Sequence, residues 1–213
     1  MAAERRNDIE RHDVRLSGFQ KAFWALAGLA LLGFAWLVLS KDGSIYQASD
    51  AHQPAFYAAF ELTDHRGTVR TQEDFAGRWL LVFFGFTNCP DVCPTTLSEV
   101  AAVMGGLGAD ADKVQPIFIS LDPERDTPAA LAEFGPLFDS RIIGLTGTPE
   151  QIAETAKIFP IYYERIVEAA APDGYTIGHT SHLLLFDTTA GFADSWPYGT
   201  PAEKILAALG ERI

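Results

Sequence analysis

Residues 79–98, WLLVFFGFTNCPDVCPTTLS, decide how this chain is read. The opening run, residues 79–86, is apolar without alternation, as expected of a strand buried on both faces. It leads into a turn that holds the only two cysteines, Cys89 and Cys93, each followed by proline. A helical pattern follows. A helix starting at Cys89-Pro90 would trap Pro94 in its interior, where the ring meets the carbonyl four residues back. The spacing therefore predicts a helix starting at Cys93-Pro94, with Cys93 at the N-cap and Cys89 in the loop before it. Free N–H groups and the dipole at a helix N-terminus stabilise a thiolate, so the pKa of Cys93 is expected to be lowered. A disulfide between Cys89 and Cys93 is sterically feasible in such a turn.

Working outward, further apolar runs at residues 114–121, 141–145 and 182–186 read as strands, and residues 60–69 as a hairpin turning at His65-Arg66-Gly67. Helical patterns separate them. Thr127-Pro128, Thr148-Pro149 and Thr200-Pro201 each place threonine at an N-cap and proline at the first helical position. Gln151 and Glu203 stand where a reciprocal capping partner belongs. Alternating strands and helices predict one three-layer α/β domain, a mixed sheet flanked by helices, over residues 56–213.

Upstream, residues 22–40 (AFWALAGLALLGFAWLVLS) carry no charge. As a helix this run would be about 28 Å long, close to the hydrocarbon thickness of a bilayer. Trp24 and Trp36 lie towards its ends, where indole rings favour the interface. Arg5, Arg6, Arg11, Arg15 and Lys21 precede it, while only Lys41 is basic in the next 25 residues. The charge asymmetry predicts residues 1–21 in the cytoplasm, a single-pass anchor over 22–40, a linker at 41–55 and the domain beyond. That is the arrangement of a bacterial inner-membrane protein with a periplasmic domain. Glu4, Asp8, Glu10 and Asp13 are out of keeping with a mitochondrial targeting peptide. A formal charge of -12 excludes nucleic acid as a partner, since phosphate binding needs a basic surface.

Two thiolates suffice for thiol exchange, whereas a metal calls for a third donor. Of the five histidines, His12 falls before the anchor, His52 in the linker and His65 in a turn. His179 and His182 remain, three apart and on opposite faces if the chain is extended there. Spacing alone does not choose between them. Two thiolates and an imidazole suit copper in both oxidation states, and the same set with a water suits zinc. Asp122, Arg125 and Asp126 read as a strand-end loop with an ion pair ahead of the Thr127 cap.

Taken together, NCPDVCP after an apolar strand, SLDPERDTP at residues 120–128, and a histidine eight residues before a strand-end aspartate closely resemble the Sco/SenC family over residues 56–210. The resemblance implies a membrane-tethered, thioredoxin-like copper metallochaperone of cytochrome c oxidase assembly. It assigns one copper to Cys89, Cys93 and His179, with a Cys89–Cys93 disulfide when the site is empty. It implies delivery to the binuclear copper site of oxidase subunit II, after loading by an upstream copper donor. Gly178 and Thr180 stand where the family usually has Asp and Ser, and His182 is an unusual second histidine. The alternatives are a thiol–disulfide reductase acting on the same subunit and a redox or copper sensor. Thioredoxin-like reductases typically carry a cis-proline before the strand facing the cysteines; residues 178–186, GHTSHLLLF, contain no proline.

Overall fold

The computed structural model describes residues 17–39 and 54–213, and the chain divides into two compact units, Met1–His52 and Gln53–Ile213. In the first, helix α1 (Gly18–Leu39) begins four residues before the uncharged run. Ser17 and Gln20 cause the early start, each side chain accepting the other's backbone N–H. Phe23, Trp24, Leu29 and Trp36 are all exposed on it. Among the described residues no helix is long and apolar enough to cross a membrane. The side chains of Ala35 and of residues 37–39, together with Ser40, lie outside the described residues. So do residues 1–16 and 40–53, with the expected cytoplasmic segment, most of the linker, His12 and His52.

The second unit is built on β3 (Trp79–Gly85), six of whose seven residues are buried. It pairs in parallel with β4 (Val114–Ser120), which pairs in parallel with β5 (Ile143–Thr146). On its other side it pairs antiparallel with β8 (Leu183–Phe186), which is followed by β9 (Phe192–Trp196). The hairpin β1 (Glu61–Asp64) and β2 (Val69–Thr71) completes the sheet in the order β2-β1-β5-β4-β3-β8-β9. Its turn falls where expected. Gly67 takes a positive φ of 82°, and Asp64 accepts the N–H groups of Arg66 and Thr68.

Alternation along β3 sends successive rings to opposite faces, and both faces are covered. Phe83 meets Phe118, which meets Phe134 of α3 (Pro128–Phe134). Phe84 meets Phe159 at the end of α4 (Pro149–Ile158), which also meets Phe186. Helices α2 (Val92–Gly106) and α5 (Ala202–Gly210) touch where Gly106 leaves room for Leu206. This is the expected mixed α/β layering.

Two expected helix starts are corrected. Thr127 and Thr148 cap α3 and α4 as predicted, with Gln151 completing a capping box. Thr200 does not cap α5: its hydroxyl donates to Pro197 O, and the Ala202 N–H is received by the Glu99 carboxylate of α2 at 2.7 Å. Helix α2 starts at Val92 with Asp91 at the N-cap, so Cys93 is its second residue rather than its cap. Pro94 then sits third, where the missing N–H costs nothing because first-turn donors have no partner within the helix.

A two-stranded ribbon, β6 (Tyr163–Val167) paired antiparallel with β7 (Tyr175–His179), was not expected and stands outside the main sheet. Ribbon residues are mostly polar or exposed, so no buried-strand run announces them.

Candidate metal centre

Strand β3 ends at Gly85, and the chain turns through residues 86–91 into α2. Cys93 is fully buried where this turn closes on the strand. A Cβ on Gly85 would lie 2.6 Å from the Cys93 sulfur, so glycine makes the space the thiol occupies. Cys89 is half-buried on the loop, and its sulfur accepts the Cys93 backbone N–H at 3.4 Å. The loop is tethered from the opposite side. Fully buried Asp126 accepts the Thr87 N–H, the Thr87 hydroxyl and the Ser120 hydroxyl, tying the residue two before Cys89 to the end of β4.

His179 closes the cluster from the end of β7. Its Nδ1 lies 3.0 Å from the Thr180 carbonyl oxygen. A carbonyl only accepts, so Nδ1 carries the proton and Nε2 presents a lone pair. That lone pair faces Cys93 Sγ at 3.9 Å. The rings of Phe83 and Phe86 hold the imidazole edge-on, with centroids 6.2 and 6.1 Å away. The carbonyl and the two rings are the supporting shell that sequence reasoning missed; the buried strand residue Phe83 gave the only hint.

The structure brings Cys89, Cys93 and His179 together and excludes His182, which is exposed on the linking turn. His65 also drops out, because its Nδ1 accepts the Gly144 N–H. At Gly178 a Cβ would lie 2.8 Å from the end of the exposed Ile166 side chain of the facing strand. The DPERDTP segment does contain its ion pair, Arg125 to Asp122, both largely buried.

The polarity of the cysteine pair is the reverse of the expected one. The Cys89 thiol is lowered to about 4, first by the hydrogen bond donated from the Cys93 thiol and then by the backbone N–H groups of Cys93 and Asp91. Cys93 is pushed up, by that same hydrogen bond to Cys89 and then by burial. The helix N-terminus does acidify a sulfur, but the N–H groups point outward at Cys89 while Cys93 lies against the strand. We expect iodoacetamide to alkylate Cys89 ahead of Cys93 in the reduced, metal-free chain. The rate should be nearly flat between about pH 6 and 8, where an ordinary thiol accelerates more than tenfold. Peptide mapping that found Cys93 labelled first, or a steep rise with pH, would refute this polarity.

Both cysteines are free thiols. Among the described residues no three metal-type side chains are arranged to hold an ion as they stand. Cys89 and Cys93 instead hydrogen-bond to each other, with Nε2 of His179 beside them. The donor set nevertheless fits a metal. Sulfur and nitrogen sharing one ion at about 2.3 and 2.0 Å stand roughly 3.5–3.8 Å apart, against 3.9 Å here. Two sulfurs and an imidazole suit a soft or borderline ion.

Comparison with known proteins agrees. The SCO1/SenC family profile matches residues 48–213. The mitochondrial SCO2 homolog of Bos taurus is 40% identical over 192 residues, covering 87% of this chain and 71% of that one. Among solved structures, copper-bound ScoI of Bradyrhizobium japonicum superposes with a TM-score of 0.68 at 38% identity, over 75% of this chain and all of its own. Copper-bound ScoI of Arabidopsis thaliana gives a TM-score of 0.69 at 31% identity, over 74% of this chain and 97% of its own. By profile, sequence and fold, the chain belongs to the SCO1/SenC family.

Proposed function

We propose that the chain is a membrane-anchored copper metallochaperone that takes one copper ion as cargo on Cys89, Cys93 and His179. It passes the ion to the binuclear copper site of cytochrome c oxidase subunit II, after loading from an upstream donor protein. The observation that carries this reading is the convergence of two cysteine sulfurs and an unprotonated imidazole Nε2. Membership of the family and the copper in two relatives that are 38% and 31% identical support copper as the ion. Soft thiolates retain Cu(I), and the imidazole adds the donor that Cu(II) requires. Because the cysteines are four apart on a turn and a helix end, a two-electron disulfide or quinone-linked oxidant closes the empty pair as a Cys89–Cys93 disulfide, with loss of two protons.

The uncharged run ending at Ser40 is the anchor, and the basic residues before it set the N-terminus in the cytoplasm. The domain then faces the periplasm of a bacterial inner membrane, where the half-buried Cys89 and its buried partner Cys93 meet oxidising conditions.

A second reading, thiol–disulfide reductase, is favoured by one observation: an ionised, accessible Cys89 beside a buried, protonated Cys93 is the arrangement of an attacking and a resolving thiol. One experiment separates the two. The Cu(I)-loaded chain is mixed with the reduced copper-binding domain of oxidase subunit II. The metallochaperone reading predicts that, once two equivalents have reacted and one electron has been withdrawn with ferricyanide, the absorption of the binuclear copper site appears, and that Cys89→Ser abolishes it. If no copper moves while the metal-free chain reduces an oxidised subunit II disulfide, the reductase reading replaces it.

A further inference from the structure

We propose that Arg125 is a positioning residue of the copper centre, a clasp that holds the β6–β7 ribbon against the body and so keeps His179 over the cysteine pair. The inference rests on the reading of Cys89, Cys93 and His179 as the copper site. His179 differs from the two cysteines in its support. They sit on the loop and helix that directly follow the central strand β3, whereas His179 ends a ribbon paired only with itself. Whatever fixes that ribbon fixes the third ligand.

Arg125 fixes it at the start of β7. Its Nη1 donates to the carbonyls of Pro172 at 3.0 Å and Tyr175 at 3.4 Å. Its Nε is paired with Asp122, whose other oxygen receives the Tyr175 hydroxyl at 2.9 Å. The guanidinium also lies 3.8 Å from the centroid of the Tyr175 ring, and Arg165 of β6 lies 3.6 Å from it. Two cations that close to one ring must occupy its two faces, so Tyr175 is sandwiched. A tilt of Tyr175 reaches His179 because four residues of strand, roughly 13 Å, form a stiff lever. A shorter connection runs through Phe86, whose ring lies 5.9 Å from the Arg125 guanidinium and 6.1 Å from the imidazole.

Arginine suits this work and lysine does not. The clasp uses three directions of a planar fork as well as its stacking face, and an ammonium offers a single charged point. Partners that only orient a ligand typically change metal affinity by about 10–100-fold when removed.

The test uses the full chain in five forms: parent, Arg125→Ala, Arg125→Lys, His179→Ala and the Arg125→Ala/His179→Ala double variant. Hydrogen–deuterium exchange on the metal-free proteins should rise across residues 163–179 in both Arg125 variants, with exchange in β3 unchanged. Cu(II) affinity should fall about tenfold in Arg125→Ala, with no rescue by lysine, while Cu(I) affinity changes less than about twofold. In the His179→Ala background the same substitution should add less than about twofold, since the clasp acts only through the imidazole. Equal loss with and without His179, or equal loss of Cu(I) and Cu(II), overturns the clasp and leaves Arg125 as a fold contact. A weakened His179→Ala beside an unaffected Arg125→Ala also overturns it. If His179→Ala itself binds Cu(II) normally, the copper-site reading fails and the clasp with it. Should Arg125→Ala not fold, Tyr175→Phe, which removes only the hydroxyl bonded to Asp122, carries the same comparison with a loss of about threefold.

Discussion

His179→Ala is expected to weaken Cu(II) binding by about 100-fold, equivalent to about 2.7 kcal/mol, while His182→Ala leaves it unchanged. Nε2 of His179 is the only nitrogen lone pair that the fold turns towards the cysteine sulfurs among the described residues. Its availability follows from the Nδ1 proton committed to the Thr180 carbonyl. Cu(I) is content with two thiolates, so its affinity should fall much less. His182 is exposed between β7 and β8. Competitive titration of the three proteins with Cu(II) and Cu(I) chelators checks the affinities. The nitrogen hyperfine pattern in the Cu(II) spectrum should vanish in His179→Ala alone. Equal loss in both histidine variants, or none in either, would remove His179 from the ligand set.

Contrast between those two histidines shows where the sequence was legible. The buried strand, the crossovers and the Thr127 and Thr148 caps were readable, because each rests on a local pattern: a continuous apolar run, or Thr-Pro at a fixed offset. Family resemblance pointed to His179, but spacing alone left it level with His182. What separates them is the ribbon, whose strands show no buried-strand pattern and which is held by contacts remote in sequence, Tyr175 to Asp122 and Arg165 to Glu124. No short window of sequence contains those pairs. The same limit explains the α5 start, since its acceptor Glu99 lies 103 residues away. The misplaced cap of α2 had a different cause. Proline is tolerated anywhere in a first turn, so Pro94 marks the neighbourhood of a helix start and not its first residue. Moving Cys93 two places inward turned its sulfur onto the strand and handed the helix N–H groups to Cys89.

Asp126 carries the second large effect, and its sign is distinctive. The carboxylate is fully buried and receives three donors, two from Thr87 and one from Ser120. Asp126→Ala strands those donors in the interior, at about 1–3 kcal/mol for each that cannot re-aim, so a total loss of about 3 kcal/mol is expected. Cu(I) binding should weaken as well, because Thr87 tethers the loop that carries Cys89. Asp126→Asn keeps one acceptor and fills the same space, so its cost should be smaller and should vary with pH. Burial pushes the Asp126 carboxyl above the usual range, against the pull of the Ser120 and Thr87 hydrogen bonds. The folded chain therefore binds this proton more tightly than the unfolded one. The contribution is fully present below the ordinary carboxylate value near ~4 and is lost as pH rises through the raised folded value. Asparagine does not titrate, so the stability of Asp126→Asn relative to the parent should increase across that window. Asp64 works in the opposite direction. Despite its own burial it is held low by the Thr68 N–H, by Arg70 and by the Arg66 N–H, and it stabilises the fold above ~4. The difference between variant and parent is therefore the quantity to follow, by urea unfolding of both proteins at several pH values. A difference that stays constant, or that moves against asparagine as pH rises, would mean that Asp126 folds as a stabilised carboxylate rather than a desolvated one.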